Sequence, residues 1–122
     1  MTSIRKRKGF KPILSLDFDG VIHWYRTGWK GPAVIDDEPV PGSKEFIEKA
    51  QDFFKIVIYS SRSNSEGGIE AMRSWMKKHG FPEVEFVKEK PKAFLTIDDR
   101  SIQFKGEWFE PQELLNFKPW NK

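Results

Sequence analysis

The most informative segment of the chain is Ile13-Leu14-Ser15-Leu16-Asp17-Phe18-Asp19-Gly20-Val21-Ile22. Its first four residues form a mainly apolar block that stops abruptly at a carboxylate, which is typical of a short buried strand ending at a polar edge. Comparable apolar blocks lie at residues 56–59, 84–87 and 94–97, each followed by a polar residue. The sequence therefore predicts four short, buried strands.

Two segments between these strands have the apolar spacing of amphipathic helices. Residues 43–54 carry apolar side chains at i, i+1, i+4, i+7 and i+8, with Ser43 expected as the N-cap. Residues 68–79 show a similar stripe and are followed by Gly80, a common residue just beyond a helix. Because strands and helices alternate, we predict an α/β fold in which helices cover both faces of a mainly parallel sheet.

Length and composition exclude several classes of protein. A chain of 122 residues, 38% hydrophobic and 32% charged, has room for one domain with a core, which we place at residues 12–122. The absence of Cys excludes disulfide scaffolds, thiol catalysis and Cys-ligated zinc. No apolar run approaches the roughly 20 residues of a membrane helix, and the basic start lacks the apolar stretch of a signal peptide. We therefore expect a cytoplasmic protein without a membrane partner.

The positive charge is concentrated at the start of the sequence. The formal net charge is +3, yet five Lys and Arg residues lie within residues 1–11, where there is no acidic residue. This basic arm could contact nucleic acid or another polyanion, or it could simply be a solvated terminus.

One long segment, residues 22–41, has no clear helical or strand period and is rich in Gly, Pro, Trp and charge. We call it the flap. Connections of this length are usually functional or form a small hairpin of their own. Its aromatic and basic side chains could stack a base or sugar ring, or Trp24 and Trp29 could pack a hairpin against the sheet.

Polar side chains follow three of the predicted strands. Asp17 and Asp19 follow the first, Ser60 the second, and Asp98 and Asp99 the fourth. Because parallel strands end at the same edge of a sheet, we expect these side chains to converge on one cleft. Four carboxylates so close would repel each other, so a hard divalent cation, most simply Mg²⁺, and a lysine are expected among them. Such a site suits a phosphate group, with one carboxylate attacking phosphorus and another handling the leaving-group proton.

These residues resemble a known family. Asp17-Phe18-Asp19-Gly20-Val21, a strand ending at Ser60, then Lys90, then Ile97-Asp98-Asp99 stand in the order of the four motifs of the haloacid dehalogenase (HAD) superfamily of phosphotransferases. The resemblance covers residues 13–104. It implies a three-layer α/β/α Rossmann-like sandwich, dependence on Mg²⁺ and an aspartyl-phosphate intermediate.

The resemblance also implies a role for each motif residue. Asp17 matches the nucleophile that becomes phosphorylated. Asp19 matches the general acid, which later acts as the base that activates water. Ser60 matches the hydroxyl that hydrogen-bonds the transferring phosphoryl group. Lys90 matches the neutralising lysine, although Lys92 is close enough to compete for this role.

The resemblance implies a magnesium site formed by the first and the last of the four motifs. Asp98 and Asp99 match the acidic pair that completes this site. The Asp17 carboxylate and the Asp19 backbone carbonyl supply the remaining protein ligands.

The chain resembles the capless branch of this family, because neither the flap nor residues 60–68 can hold a large cap domain. Open sites of this kind tend to take macromolecular substrates unless a partner subunit covers the cleft. We therefore expect a Mg²⁺-dependent phosphomonoester hydrolase. The alternatives are a polynucleotide-end phosphatase that uses the basic arm, and a noncatalytic binding module on the same fold.

Simpler interpretations compete with these roles. Ser60 could be a helix cap and Lys90 a solvated lysine. Arg62 and Arg100 would flank the cleft and could grip a phosphate, but arginines at a surface usually face water. The two histidines lack the spacing of metal ligands, and no P-loop motif is present. A phosphorylatable receiver domain is disfavoured, because its acidic pair comes first in the chain whereas here it comes last.

Overall fold

The centre of the fold is a parallel sheet of four strands. The computed structural model describes residues 10–121, in which β1 is Ile13–Leu16, β2 is Lys55–Tyr59, β3 is Glu85–Val87 and β4 is Leu95–Ile97. The strands lie in the order β3-β2-β1-β4, and all three pairings are parallel. The prediction of an α/β fold with a parallel sheet is confirmed.

Within residues 10–121, two α-helices and two 3-10 helices connect or follow the strands. Helix α1 spans Ser43–Ala50 and helix α2 spans Gly68–Lys78, while the 3-10 helices span Ser61–Asn64 and Pro111–Asn116. Helix α1 is shorter than the 43–54 predicted. After it, i to i+3 hydrogen bonds such as Phe53 N–H to the Ala50 carbonyl, 3.0 Å, continue the chain as turns.

The prediction that Ser43 caps α1 is wrong. Gly42 occupies the N-cap position with φ of 86°, and no side chain caps this helix. Ser43 is instead the first helical residue, and its buried Oγ has no hydrogen-bond partner within residues 10–121. A left-handed turn that Gly adopts without strain therefore starts the helix, in place of a side-chain acceptor.

The core forms around the two central strands. In β1, Leu14 and Leu16 face one side of the sheet and Ser15 faces the other, and all three are buried. Strand β2 is likewise buried over Ile56, Val57 and Ile58. The main hydrophobic cluster adds side chains from the first turn after β1, from both α-helices and from the segment after α2: Phe18, Ile22, Ile47, Ala50, Met72, Trp75, Met76 and Phe81.

Strand β4 is exposed, which contradicts the prediction of a buried strand at residues 94–97. Phe94 and Leu95 are 57% and 53% exposed, and Ile97 is 37% exposed. The reason is position, since β4 is the last strand on its side of the four-stranded sheet in the described range. The apolar composition of a strand cannot distinguish the middle of a sheet from its edge.

The flap returns to the sheet through antiparallel contacts between its two ends. The Trp24 N–H donates to the Glu38 carbonyl at 3.0 Å, and the Val40 N–H donates to the Ile22 carbonyl at 2.8 Å. The indole N–H of Trp75, from α2, donates to the Asp37 carbonyl at 3.1 Å. The flap is therefore closed at its base and tied to α2.

Most of the predicted basic arm lies outside the described residues. Within it, Lys11 donates from Nζ to the Gln51 carbonyl at 2.8 Å. Over residues 10–121, neither helix has the length and apolar character required to cross a bilayer.

Candidate active site

Three of the predicted acidic side chains meet where β1 and β4 end. Leu16 pairs with Ile97 in the parallel register, so Asp17 and Asp98 leave the two strands side by side. The Asp17 N–H donates to the Ile97 carbonyl at 3.0 Å, which extends the pairing by one residue. One carboxylate oxygen from each of Asp17, Asp98 and Asp99 lies within 4.8 Å of the others. We call these residues the acidic cluster.

Gly20 provides the space that Asp99 occupies in the acidic cluster. Gly20 has φ of 83°, a left-handed conformation that favours Gly. A Cβ at this position would lie 2.2 Å from Asp99 Oδ2 and 2.7 Å from its Cγ. A side chain at residue 20 would therefore force the Asp99 carboxylate to move.

Burial and mutual repulsion favour the protonated forms within the acidic cluster. Burial, followed by the charge of Asp98, raises the pKa of Asp17 to about 8. The Phe18 N–H, which donates to Asp17 Oδ1 at 2.8 Å, opposes this shift in part. Burial also raises the pKa of Asp99. Asp17 and Asp99 are therefore harder to ionise than exposed carboxyl groups.

The Asp19 carboxylate forms hydrogen bonds with residues outside the acidic cluster. Its Oδ1 lies 2.9 Å from His23 Nδ1, and its Oδ2 accepts from Arg62 Nε at 2.8 Å. Burial alone would raise the pKa of Asp19, but the hydrogen bonds from His23 and Arg62 and the charge of Arg62 lower it. The structure thus brings together three of the four predicted carboxylates and holds the fourth as an ionised group beside them.

His23 is a buried link between Asp19 and the flap, and its exposed fraction is 1%. The Asp37 N–H donates to His23 Nε2 at 3.0 Å, so this nitrogen carries a lone pair. His23 Nδ1 then carries the proton that it donates to Asp19. The histidine therefore orients Asp19 from the side opposite Arg62.

Arg62 is fully buried, so the expectation that it faces water is wrong. Besides Asp19, its guanidinium reaches the flap, where Nη1 donates at 2.9 to 3.1 Å to the carbonyls of Gly31, Pro32 and Val34. Its guanidinium carbon also lies 4.8 Å from the centre of the Trp29 ring. One side chain therefore joins the flap to Asp19.

Ser60 lies at the end of β2, as predicted, and is buried. Its Oγ accepts from the Arg62 N–H at 3.1 Å, and its own N–H donates to Ser63 Oγ at 3.2 Å. These two bonds form a reciprocal cap on the first 3-10 helix. Capping uses only the acceptor side of the hydroxyl, so Ser60 retains a proton that it can donate.

Lys90 and Lys92 are both exposed, in the segment between β3 and β4. Neither makes an ion pair within 4.0 Å in the described part of the chain. The structure therefore does not place either lysine against the acidic cluster, and the choice between them stays a prediction.

The acidic cluster fits a hard divalent cation. Its three ligand atoms are carboxylate oxygens, the donors that Mg²⁺ prefers, and they lie close enough to share one ion. The raised pKa of Asp17 indicates that a positive charge is needed before this group ionises fully at neutral pH.

No protein-family model, curated protein or solved structure matches this chain. Functional inference therefore rests on the geometry of the acidic cluster and on the residues around it.

Proposed function

We propose that this chain is a Mg²⁺-dependent phosphatase that hydrolyses phosphomonoesters through an aspartyl phosphate on Asp17. The observation that carries this proposal is the meeting of Asp17, Asp98 and Asp99 where adjacent parallel strands end. The HAD-like order of the motifs supports it, and the proposal includes the three-layer sandwich of that family. The parallel sheet and its two helices are compatible with that architecture.

The proposed reaction has two displacements at phosphorus. In the first, a carboxylate oxygen of Asp17 attacks phosphorus, the bond to the ester oxygen breaks, and Asp19 protonates the departing oxygen. In the second, Asp19 takes a proton from water, whose oxygen attacks phosphorus and breaks the bond to Asp17. The products are inorganic phosphate and the alcohol, and the Asp17 carboxylate is restored.

The side chains of the acidic cluster would hold Mg²⁺, with the Asp19 carbonyl as a further proposed ligand. Bound Mg²⁺ supplies positive charge that favours ionised carboxylates and neutralises phosphate oxygens. Asp17 must be ionised to attack, and its pKa near 8 shows why that charge matters. Lys90, with Lys92 as the alternative, is proposed to add a further positive charge during the reaction.

The partners of Asp19 suit one of its two roles better than the other. Arg62 and His23 favour its ionised form, which is the form that accepts a proton from water. Protonating the leaving oxygen requires the less favoured acid form. Substrates with weakly basic leaving groups, such as aryl phosphates, need this proton least and are therefore the appropriate first assay.

The test is hydrolysis of an aryl phosphate in the presence of Mg²⁺ or a chelator, with Asp17→Asn as the active-site variant. Asp52→Asn, at an exposed position after α1, is the matched control. We expect the chelator to abolish hydrolysis and Asp17→Asn to reduce kcat by about 10³-fold or more, because removal of a nucleophile has effects of that size. Full activity in Asp17→Asn would exclude the aspartyl-phosphate route. Mg²⁺ binding without turnover of any phosphate ester would favour a noncatalytic binding module.

A further inference from the structure

Trp120 is held in a defined position by contacts with residues that lie far earlier in the chain. Its indole N–H donates to the Gly20 carbonyl at 2.7 Å. Its ring lies 6.3 Å from the ring of Trp24, at an angle of 37°. The neighbouring Asn121 donates from Nδ2 to the Trp24 carbonyl at 2.8 Å. These contacts fix the orientation of Trp120 relative to the flap and to the turn after β1.

Gly20, the residue that Trp120 binds, also packs against the acidic cluster. Gly20 is the residue whose missing side chain makes room for the Asp99 carboxylate, and its carbonyl is the group that Trp120 binds. Only two residues separate Gly20 from Asp17, which limits the chain distance between them to about 10 Å. Trp120 therefore binds the same turn that leads from Asp17 and that packs against the Asp99 carboxylate.

The ring of Trp120 is available for stacking, because 58% of the residue is exposed. Trp24 is less available, since the Arg26 guanidinium lies 4.1 Å from its ring centre. A fixed, exposed indole close to the acidic cluster can stack on the flat face of a nucleobase. The phosphate of the same ligand would then bind at the acidic cluster.

We propose that Trp120 stacks on the base of the substrate, so that the enzyme prefers phosphate esters that carry a nucleobase over aliphatic phosphate esters. This inference rests on the proposed phosphatase function and names the class of its substrates. A mononucleotide and the phosphorylated end of a nucleic acid share this chemistry. Trp120 is thus a specificity-determining residue that contacts the base of the substrate.

The first experiment compares kcat/KM for a nucleoside monophosphate and for glycerol phosphate in Mg²⁺. We expect the wild-type protein to favour the nucleotide. Trp120→Ala should reduce the ratio of the two values by about 5- to 150-fold, the range found when a stacking aromatic is removed. Trp120→Phe should retain part of the preference, because it keeps a ring but loses the N–H bonded to Gly20. Trp108→Ala is the matched control, since Trp108 is 87% exposed and its ring packs on Phe104.

A second experiment measures binding without turnover, which separates this inference from the proposed reaction. Titration calorimetry of Asp17→Asn with a nucleoside monophosphate and Mg²⁺ should show binding that Trp120→Ala weakens in the double variant. Absence of hydrolysis of every ester, together with this binding, would overturn the phosphatase and support the base site. The base site is overturned if Trp120→Ala changes neither the binding nor the kcat/KM ratio more than Trp108→Ala does.

Kinetics with phosphorylated oligonucleotides distinguish a nucleic-acid end from a mononucleotide as the substrate. A kcat/KM well above that of the mononucleotide supports a nucleic-acid end as substrate, and equal values support a mononucleotide. Hydrolysis of glycerol phosphate as efficient as that of both base-bearing substrates would overturn the inference.

Discussion

Replacing Gly20 with Ala should impair Mg²⁺ binding more than it impairs folding. The new Cβ would lie 2.2 Å from Asp99 Oδ2, whereas ordinary contacts need roughly 3.5 Å, so the Asp99 carboxylate has to move by about 1 Å or more. Mg²⁺ requires ligand oxygens close to ideal octahedral positions, so a displacement of this size removes a ligand. We expect the affinity for Mg²⁺ to fall by about tenfold or more, a range typical of lost metal-site contacts.

The cost to folding should be modest and can be measured separately. Ala at a φ of 83° carries a left-handed strain of about 1–2 kcal/mol. Gly28→Ala is the matched control, because Gly28 has φ of 80° and a Cβ there would meet nothing within 4 Å. Without metal, Gly28→Ala should lose stability through this strain alone, whereas Gly20→Ala should also bear the cost of moving the Asp99 carboxylate.

Thermal denaturation with and without Mg²⁺ distinguishes the two effects. In the wild-type protein and in Gly28→Ala, Mg²⁺ should raise Tm by a similar amount, because a ligand of the folded state stabilises it by mass action. In Gly20→Ala the increase should be much smaller at the same Mg²⁺ concentration. If Gly20→Ala and Gly28→Ala gain equally from Mg²⁺, the assignment of Asp99 to a metal site at the acidic cluster is refuted.

Three further outcomes can be checked with purified protein. Arg62→Met should lower the free energy of unfolding in urea by about 3–5 kcal/mol, because it leaves Asp19 and three flap carbonyls without their buried partner. A loss of stability no larger than that of Arg73→Met, at an exposed position, would contradict this. Without metal, stability should decrease as pH rises from 6.5 to 8, because folded Asp17 retains a proton that the unfolded chain releases. The slope should approach about 1.4 kcal/mol per pH unit, and it should be clearly smaller in Asp17→Asn. Mg²⁺ affinity measured by calorimetry should increase over the same range by up to about tenfold per pH unit, since the metal displaces that proton, and a flat profile would show that Asp17 is not a ligand.

The sequence predicted the acidic cluster because its placement depends on topology alone. Apolar blocks that stop at a carboxylate define strand ends, and parallel strands bring those ends to one edge. The pairing of Leu16 with Ile97 then places Asp17 beside Asp98 without any further information. Ser60 was predictable for the same reason, at the end of the neighbouring strand.

The partners of Asp19 and the anchoring of Trp120 could not be predicted in this way. Each depends on a contact between side chains far apart in sequence, such as Arg62 with Asp19, 43 residues away, or Trp120 with Gly20, 100 residues away. Arg62 follows β2 at the edge of the sheet where the acidic cluster lies, and this position in the sequence indicated its location. Its burial could not be foreseen, because a charged side chain is buried only when the acceptors around it are already in place.

The four hydrogen bonds of the Arg62 side chain restrict the substitutions that this position can accept during evolution. A lysine has one nitrogen and cannot reproduce the planar set of donors that reaches Asp19 and the three flap carbonyls together. A homologue that lacks arginine here should therefore carry compensating changes in the flap and a different neighbour for Asp19. Position 62 is thus expected to drift only in concert with residues 31–34, whereas exposed positions elsewhere in the flap can vary independently.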